Sequence, residues 1–187
     1  MTSNVKADFS ADYYRMMGSD PRKDGFFKKL LNLLTNHALR YLCAYRKMQN
    51  GQDPLGIHRL IRRHLRQKYG LELDSFNIGP GLYLGHAYNI AVAEEAVIGK
   101  NCNLSKGCTI GAESRGSRAG APCLGDRVWI GTNAVVVGKI TIGDNVLIAP
   151  NAFVNMDVPA DSIVIGNPAR IIPDRPDATQ DYIIHVL

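Results

Sequence analysis

The sequence predicts a mainly β protein, a parallel β-helix that carries an α-helical cap at its N-terminus. The first observation is a repeat of period six over residues 124–159. Each block begins with an aliphatic residue and has a second small or branched apolar residue four positions later. This period fits neither an amphipathic helix nor an alternating strand, but is typical of a parallel β-helix with two inward apolar columns. The blocks begin at Leu124, Ile130, Val136, Ile142, Ile148 and Val154.

The second observation is that the same phase continues upstream, with two interruptions. Eight residues instead of six separate the block start Leu84 from Val92, and fourteen separate Ile110 from Leu124. The first interruption contains His86, and the second is the loop of residues 112–122. Interruptions in a solenoid protrude on one face, which is often the binding face. The other upstream blocks begin at Ile78, Ile98 and Leu104.

The third observation is helical periodicity in residues 1–75, which we assign to the cap. It predicts a short helical segment near residues 12–18, a helix over residues 24–49, and another over residues 54–69 that stops at Gly70. The apolar face of the first long helix comprises Phe27, Leu30, Leu31, Leu34, Ala38, Leu42 and Tyr45. In the second long helix, the residues expected to face inward are Ile57, Leu60, Ile61 and Leu65. Those expected to face outward are Arg59, Arg62, Arg63, Arg66 and Lys68. We assign residues 76–172 to the β-helix and 173–187 to a C-terminal tail that the pattern does not place.

The outward basic stripe has two interpretations. It is a solvated helix face, or it contacts an anionic membrane surface or a polyanionic substrate. The whole chain has 22 basic and 17 acidic residues, and this modest excess of +5 suits a small anionic ligand. No nucleic acid is expected as a partner, because the basic residues lack interleaved aromatic residues.

The 187-residue chain contains no apolar run of the length that spans a membrane, and its start lacks the pattern of a signal peptide. A cytoplasmic location is therefore expected by default. Four cysteines at irregular spacing fit reduced thiols in that compartment. Cys102 and Cys108 fall on an inward column, so we expect both in the core.

Three motifs carry a resemblance to a known family: GLYLGH around His86, PCLGDRVWIG after the long loop, and the closing IGNPARII. Together with the repeat they resemble the hexapeptide-repeat acyltransferases, most closely serine acetyltransferases and the O-acetyltransferases of polysaccharide gene clusters. The resemblance implies a left-handed β-helix and an O-acetyltransferase that uses acetyl-CoA. It also implies a homotrimer with its active sites between subunits. No metal is expected, because a zinc hydratase of this fold needs three histidines and only one lies in the repeats.

Acetyl transfer to a hydroxyl requires a general base, and His86 is the candidate because imidazole titrates near neutral pH. The alternative is a surface or interface histidine without a catalytic role. In serine acetyltransferases a carboxylate that orients the base stands at the position of Leu71 here. Glu72 is the nearest substitute, and the resemblance makes Glu94 a second candidate.

The sequence departs from serine acetyltransferases where those enzymes hold serine. Gly85 replaces an Asp before the histidine, and Gly120 and Ala121 replace an Arg-His pair in the long loop. A carboxylate-bearing acceptor would lack its cationic partner there. We therefore expect the acceptor to be a sugar or surface polysaccharide hydroxyl, with serine as the alternative and a noncatalytic trimeric scaffold as a third possibility. The candidate acceptor-binding residues are Tyr83, Tyr88, Arg115 and Arg118. The two tyrosines are equally interpreted as packing on the coil surface, and the two arginines as solvated or as contacts of the cofactor.

The resemblance places acetyl-CoA along the corner residues of successive coils. Small residues there let a ligand approach the backbone, and corner amides are expected to face it. Basic residues are expected near the phosphates, although Lys139 is equally interpreted as a solvated lysine. The candidates are Gly131, Thr132, Lys139, Ala149, Pro150 and Arg170.

Overall fold

The computed structural model describes residues 9–186, in which α-helices precede a stack of short β-strands. None of these helices is long and apolar enough to cross a membrane. The predicted cap includes residues 1–8, and the predicted tail includes Leu187. These residues lie outside the described part of the chain. The helices are α1 (Phe9–Met17), α2 (Phe26–Thr35), α3 (His37–Gln49) and α4 (Ile57–Tyr69).

Within the described residues the strands form three sheets, named A, B and C here, which are parallel except for the last pair of sheet C. Sheet A contains β1 (Leu71–Leu73), β3 (Ile90–Val92), β6 (Thr109–Gly111), β9 (Val135–Val137) and β12 (Phe153–Val154). Sheet B contains β4 (Val97–Ile98), β7 (Cys123–Leu124) and β10 (Thr141–Ile142). Sheet C contains β2 (Tyr83–Gly85), β5 (Asn103–Ser105), β8 (Trp129–Ile130), β11 (Leu147–Ile148), β13 (Ile163–Ile165) and β14 (Arg170–Ile172). The chain thus visits A, B and C in turn, as a parallel β-helix requires.

The predicted apolar columns form the core of this β-helix. Leu84, Leu104 and Ile130 occupy equivalent positions in successive coils of sheet C, and each is at most 2% exposed. Cys102 and Cys108 are buried, as predicted, and burial raises the pKa of both thiols to about 12. Both therefore remain protonated and belong to the packing of the coils.

Glycine and asparagine occupy left-handed backbone positions at the corners. At the corner between sheets C and A, Asn89, Gly107 and Asn133 have φ of 53°, 74° and 58° in successive coils. A Cβ atom on Gly107 would lie only 2.1 Å from the Asn133 side-chain oxygen. Asparagine and glycine both adopt this conformation, but a side chain at Gly107 would displace that of Asn133 in the next coil.

A buried ion pair attaches the cap to the first coil. Arg46 on α3 binds Asp12 on α1 at 2.6 Å, and both side chains are at most 1% exposed. Arg46 also donates to the carbonyl oxygens of Ile78 and Gly79, which belong to the first coil. Removing either partner would leave a buried charge, so the pair fixes where the helices sit.

The single helix predicted over residues 24–49 is two helices in the structure. α2 ends at Thr35, and the Asn36 side chain accepts hydrogen bonds from the N–H groups of Ala38 and Leu39 at the start of α3. Asparagine favours this N-cap role over the helix interior. The apolar periodicity therefore continues across a break in the helix.

The prediction for the faces of α4 is right for Leu65, Arg59, Arg63 and Lys68 but wrong for the other apolar residues and for Arg62. Of the residues expected inside, Leu65 is buried, but the others are exposed: Ile57 by 52%, Leu60 by 65% and Ile61 by 39%. Arg62 was expected outside, yet it donates to the Tyr41 hydroxyl, the Leu73 carbonyl and the Asp74 carboxylate. The polar edge of the first coil therefore decides which face of α4 packs.

The two ends of the β-helix also differ from the predicted boundaries. β1 already pairs with β3, so the coils begin at Leu71 rather than at residue 76. After β14 the tail returns along the outside of sheet C, where the Tyr182 ring lies 4.9 Å from that of Trp129. The tail therefore covers part of this sheet.

Candidate active site

His86 lies in the insertion between sheets C and A, directly after β2. Its side chain is exposed, and its φ is 49°. The regular left-handed position of this corner is Asn89, so His86 is an additional left-handed residue outside the repeat. Such a conformation costs on the order of 1 kcal/mol for a residue with a Cβ, and costs of this kind concentrate at functional sites. The insertion thus presents an imidazole to solvent beside the coils.

An aromatic cluster from the cap holds the segment that follows His86. His37 hydrogen-bonds through Nε2 to the carbonyl oxygen of Ala87 at 2.9 Å. Because a carbonyl oxygen only accepts, this nitrogen carries the proton. The His37 ring stacks on Tyr69 at 4.1 Å and lies 5.0 Å from the Tyr88 ring. The cap therefore fixes the backbone on the C-terminal side of the candidate base.

The corner between sheets C and A, called the CA corner below, aligns most candidate cofactor residues with His86. Adjacent coils are about 4.8 Å apart, so this corner offers a strip about 19 Å long from the first coil to the fifth. Gly85, Ser105, Gly131 and Ala149 occupy equivalent positions along it. The next residues in these coils are His86, Lys106, Thr132 and Pro150.

The expectation that corner amides face a ligand is wrong for two of these residues. The Gly131 N–H donates to Ile148 and the Ala149 N–H donates to Val164, both at 2.8 Å. These hydrogen bonds belong to the ladder of sheet C. The strip can therefore offer contact at the partly exposed Ala149, but not these two donors; Gly131 is buried and Pro150 has no N–H.

Arg170 lies at the far end of the same strip. It is exposed at the start of β14 and pairs in register with Ile165 of β13. Ile165 is the next equivalent position after Ala149 in sheet C. A cation at this end suits the phosphates of an extended ligand whose other end lies near His86.

The two tyrosines that flank His86 both contact other parts of the protein. Arg15 of α1 lies over the Tyr83 ring at 5.8 Å from its centroid, so α1 partly covers this residue. Tyr88 packs against the His37 cluster but remains 42% exposed. Tyr88 is therefore the more accessible of the two to an acceptor.

Neither candidate carboxylate contacts His86 within the described chain. Glu72 forms an ion pair with Arg66 at 3.0 Å on the outer face of sheet A. Glu94 is exposed after β3, at the corner between sheets A and B, which we call the AB corner. Glu72 is thus held by the cap, while Glu94 lies on a different edge from His86.

The long loop also lies at the AB corner, with Lys139. Reciprocal backbone hydrogen bonds of 2.9 and 2.8 Å between Glu113 and Gly120 fold the loop back on itself. The Lys139 N–H donates to the Arg118 carbonyl at 2.9 Å, which ties the loop to the next coil. A cleft of about 240 Å³ opens beside Arg115 and Arg118.

The candidate residues therefore divide mainly between two edges of sheet A. A single chain does not gather them in one cleft, because the width of the sheet separates the two corners. The CA corner holds His86, Tyr88, Gly131, Thr132, Ala149, Pro150 and Arg170. The AB corner holds Glu94, Arg115, Arg118 and Lys139.

Sequence reasoning missed Lys106 and His37. Lys106 is exposed at the CA corner one coil beyond His86, and its N–H donates to the Gly85 carbonyl at 2.8 Å. Extending the repeat register from one coil to the next would have found Lys106. No sequence pattern pointed to His37, because its contact depends on how α3 packs against the first coil.

Comparison with known proteins agrees with this architecture. The family model described as bacterial transferase hexapeptide (six repeats) matches residues 124–155. A serine acetyltransferase of Helicobacter pylori (strain 26695) is 32% identical over 168 residues, which cover 88% of this chain and 96% of that protein. The chain belongs to the serine acetyltransferase family.

Other serine acetyltransferases are longer. Serine acetyltransferase 2 of Arabidopsis thaliana is 26% identical over 194 residues, which cover 97% of this chain and 59% of that protein. The chain thus spans 59% of this plant relative and 48% of a serine acetyltransferase of Synechococcus elongatus. A crystal structure of the Neisseria gonorrhoeae serine acetyltransferase in complex with serine has a TM-score of 0.60 and 28% identity, covering 87% of this chain and 66% of that chain. The family confirms the predicted left-handed β-helix with N-terminal helices.

Proposed function

We propose that the protein is an acetyl-CoA-dependent O-acetyltransferase in which His86 is the general base. The observation that carries this proposal is the exposed His86 imidazole on an insertion at one end of the CA corner, with Arg170 at the other end. His86 would take the proton of the acceptor hydroxyl as its oxygen attacks the thioester carbonyl. The imidazolium would then return this proton to the departing thiolate. Imidazole suits both steps because its pKa lies near working pH.

The CA corner fits an extended anionic co-substrate. Thr132 and Ala149 are partly exposed along the strip, and Lys106 and Arg170 provide cations towards its two ends. Bound acetyl-CoA would supply the activated acetyl group there. Lys106 and the His86 imidazole lie at the same end of the strip, and together they would favour placing the thioester beside His86.

A second copy of the chain would complete the site, and we propose a homotrimer. Glu94, Arg115 and Arg118 lie across sheet A from His86, so they would join it if the AB corner of one subunit packs beside the CA corner of the next. A closed ring of three subunits makes the same contact at each interface. In this arrangement Glu94 would orient His86 and the loop arginines would line the acceptor site.

Serine is the acceptor that the relatives favour, and it becomes our first proposal in place of a polysaccharide hydroxyl. The relatives compared above are named serine acetyltransferases, and one structure is a complex with serine. Because Gly120 and Ala121 carry no charge, Arg115 and Arg118 would have to bind the serine carboxylate. Their guanidinium groups have the geometry for such a contact.

An uncharged hydroxyl, such as that of a sugar, is the second candidate acceptor. It is favoured by Gly85, Gly120 and Ala121, which remove charged side chains that serine acetyltransferases place near serine. Crowding does not explain why Gly85 lacks a side chain. A Cβ atom there would meet the Tyr83 ring at 3.5 Å and Ser105 Oγ at 3.6 Å, which are ordinary contacts.

Thiol release from acetyl-CoA with L-serine as the sole acceptor tests the proposal. We expect serine-dependent release by the wild type and a loss of about 100-fold or more in His86→Ala, because general-base catalysis contributes factors of this size. His185→Ala is the matched histidine control and should keep wild-type rates. Near-normal rates in His86→Ala would remove the general-base assignment.

The same assay separates the two acceptors. Release that depends on sugars and ignores serine would favour the second candidate. In that case Gly85→Asp, which the site accommodates, should introduce measurable serine dependence if the missing carboxylate is what excludes serine. No thiol release with either acceptor class would contradict the proposed activity.

A further inference from the structure

The helix α2 has no buried residue, although its sequence FFKKLLNLLT is rich in large apolar side chains. A helix of a folded domain normally buries its apolar stripe. Exposed apolar area of this extent marks an interaction surface rather than ordinary surface variation. The exposed side chains are Phe26 by 71%, Phe27 by 83%, Leu30 by 41%, Leu31 by 58% and Leu34 by 62%.

The outward side of α4 extends this apolar surface. Leu60 and Ile61 line a groove of about 440 Å³ whose basic edges include Arg40 and Lys68. Arg40 also donates to the carbonyl oxygens of Leu33 and Leu34, the latter an exposed residue near the end of α2. Arg40 therefore joins the end of α2 to the groove beside α4.

The segment that contains α2, α3 and α4 has a net charge opposite in sign to that of the remaining chain. Residues 26–69 contain ten lysine and arginine residues and one acidic residue, Asp53, which gives a net charge of +9. The rest of the chain contains 12 basic and 16 acidic residues, a net charge of −4. The exposed apolar side chains thus lie within the basic part of the protein.

We propose that α2 and the outward side of α4 form a docking surface for anionic phospholipid bilayers. Phenylalanine and leucine side chains would enter the boundary between headgroups and acyl chains, while the surrounding basic residues contact lipid phosphates. A second copy of the chain fits less well, because exposed basic residues such as Arg59, Arg63 and Lys68 on the two surfaces would repel each other. The assignment does not depend on which hydroxyl the enzyme acetylates.

Vesicle flotation of the 187-residue chain tests this surface. We expect binding to phosphatidylcholine vesicles containing about 30% phosphatidylglycerol, and little binding to phosphatidylcholine alone. The double variant Phe26→Ser with Phe27→Ser should bind the anionic vesicles at least about tenfold more weakly. Arg59→Glu with Arg63→Glu should cause a similar loss, because each basic residue near an anionic surface adds attraction.

Two double variants serve as matched controls. Ile184→Ser with Val186→Ser removes exposed apolar side chains from the tail, and Lys100→Glu with Arg127→Glu changes the charge equally in the β-helix. Both should bind vesicles like the wild type. If these controls lost vesicle binding equally, the losses in the α2 and α4 variants would reflect only the overall charge or apolarity of the protein. That result would overturn the assignment.

Light scattering completes the test. Absence of wild-type binding to anionic vesicles overturns the proposal directly. If, in addition, the Phe26→Ser and Phe27→Ser double variant halves the mass of the assembly, the surface is a contact between copies of the chain. Retained assembly mass and catalytic rate with lost vesicle binding is the result that supports membrane docking.

Discussion

The β-helix and the cap are both built from amphipathic segments, but only in the β-helix does the apolar side face inward throughout. Ile130 and Ile148 are completely buried, as the repeat predicts. On α4, in contrast, Leu60 is 65% exposed, while Arg62 packs against the first coil. A repeat determines its own interior because every coil packs on an equivalent coil. A short helix takes its inner face from the surface that it meets.

That surface is the polar end of the coils. The first coil presents carbonyl oxygens that no preceding coil covers, and buried carbonyl groups need donors. Arg15 of α1 donates to the Gly81 carbonyl, Arg46 of α3 to that of Ile78, and Arg62 of α4 to that of Leu73. The cap therefore closes the β-helix largely with guanidinium groups, which explains why Arg62, rather than Leu60 or Ile61, joins Leu65 on the inner face of α4.

Truncation of one aliphatic residue in each region gives the largest expected contrast. Ile148→Ala should lower the free energy of unfolding by about 2–5 kcal/mol, because it leaves a cavity in a packed coil. Leu60→Ala should change it by less than about 0.5 kcal/mol, because most of this side chain is already in water. Urea unfolding followed by far-ultraviolet circular dichroism measures both. Equal losses would mean that the outward face of α4 is packed in the native assembly.

A smaller contrast is expected between neighbouring arginines of α4. Arg62→Ala should lower the free energy of unfolding by about 1–3 kcal/mol, because it leaves the Leu73 carbonyl without this charged donor. Arg63→Ala is the matched control, since Arg63 is exposed, and it should be close to neutral. The same urea titration compares the two variants. A loss for Arg62→Ala as small as that for Arg63→Ala would restore the outward position of Arg62 that the sequence suggested.

The extent to which the sequence predicts the site follows the same division. The register of the repeats suffices to place Gly131, Ala149 and His86 along one corner, because each coil repeats the geometry of the last. The family resemblance does not reveal that Glu94 and Arg118 lie on another corner than His86. It suggests which residues share a site, but not which subunit supplies each of them. It also misses His37, whose contact with Ala87 depends on the packing of the cap.

His37 gives the smallest expected effect and connects the two regions. His37→Ala should lower kcat about tenfold with an unchanged KM for acetyl-CoA, because His37 positions the segment after His86 without lying on the cofactor strip. His37→Gln can still donate a hydrogen bond to the Ala87 carbonyl and should recover most of the rate. Steady-state thiol release measures both parameters. If His37→Gln were as slow as His37→Ala while both remained folded, the hydrogen bond would not be what positions His86, and the stacking on Tyr69 would have to carry that role.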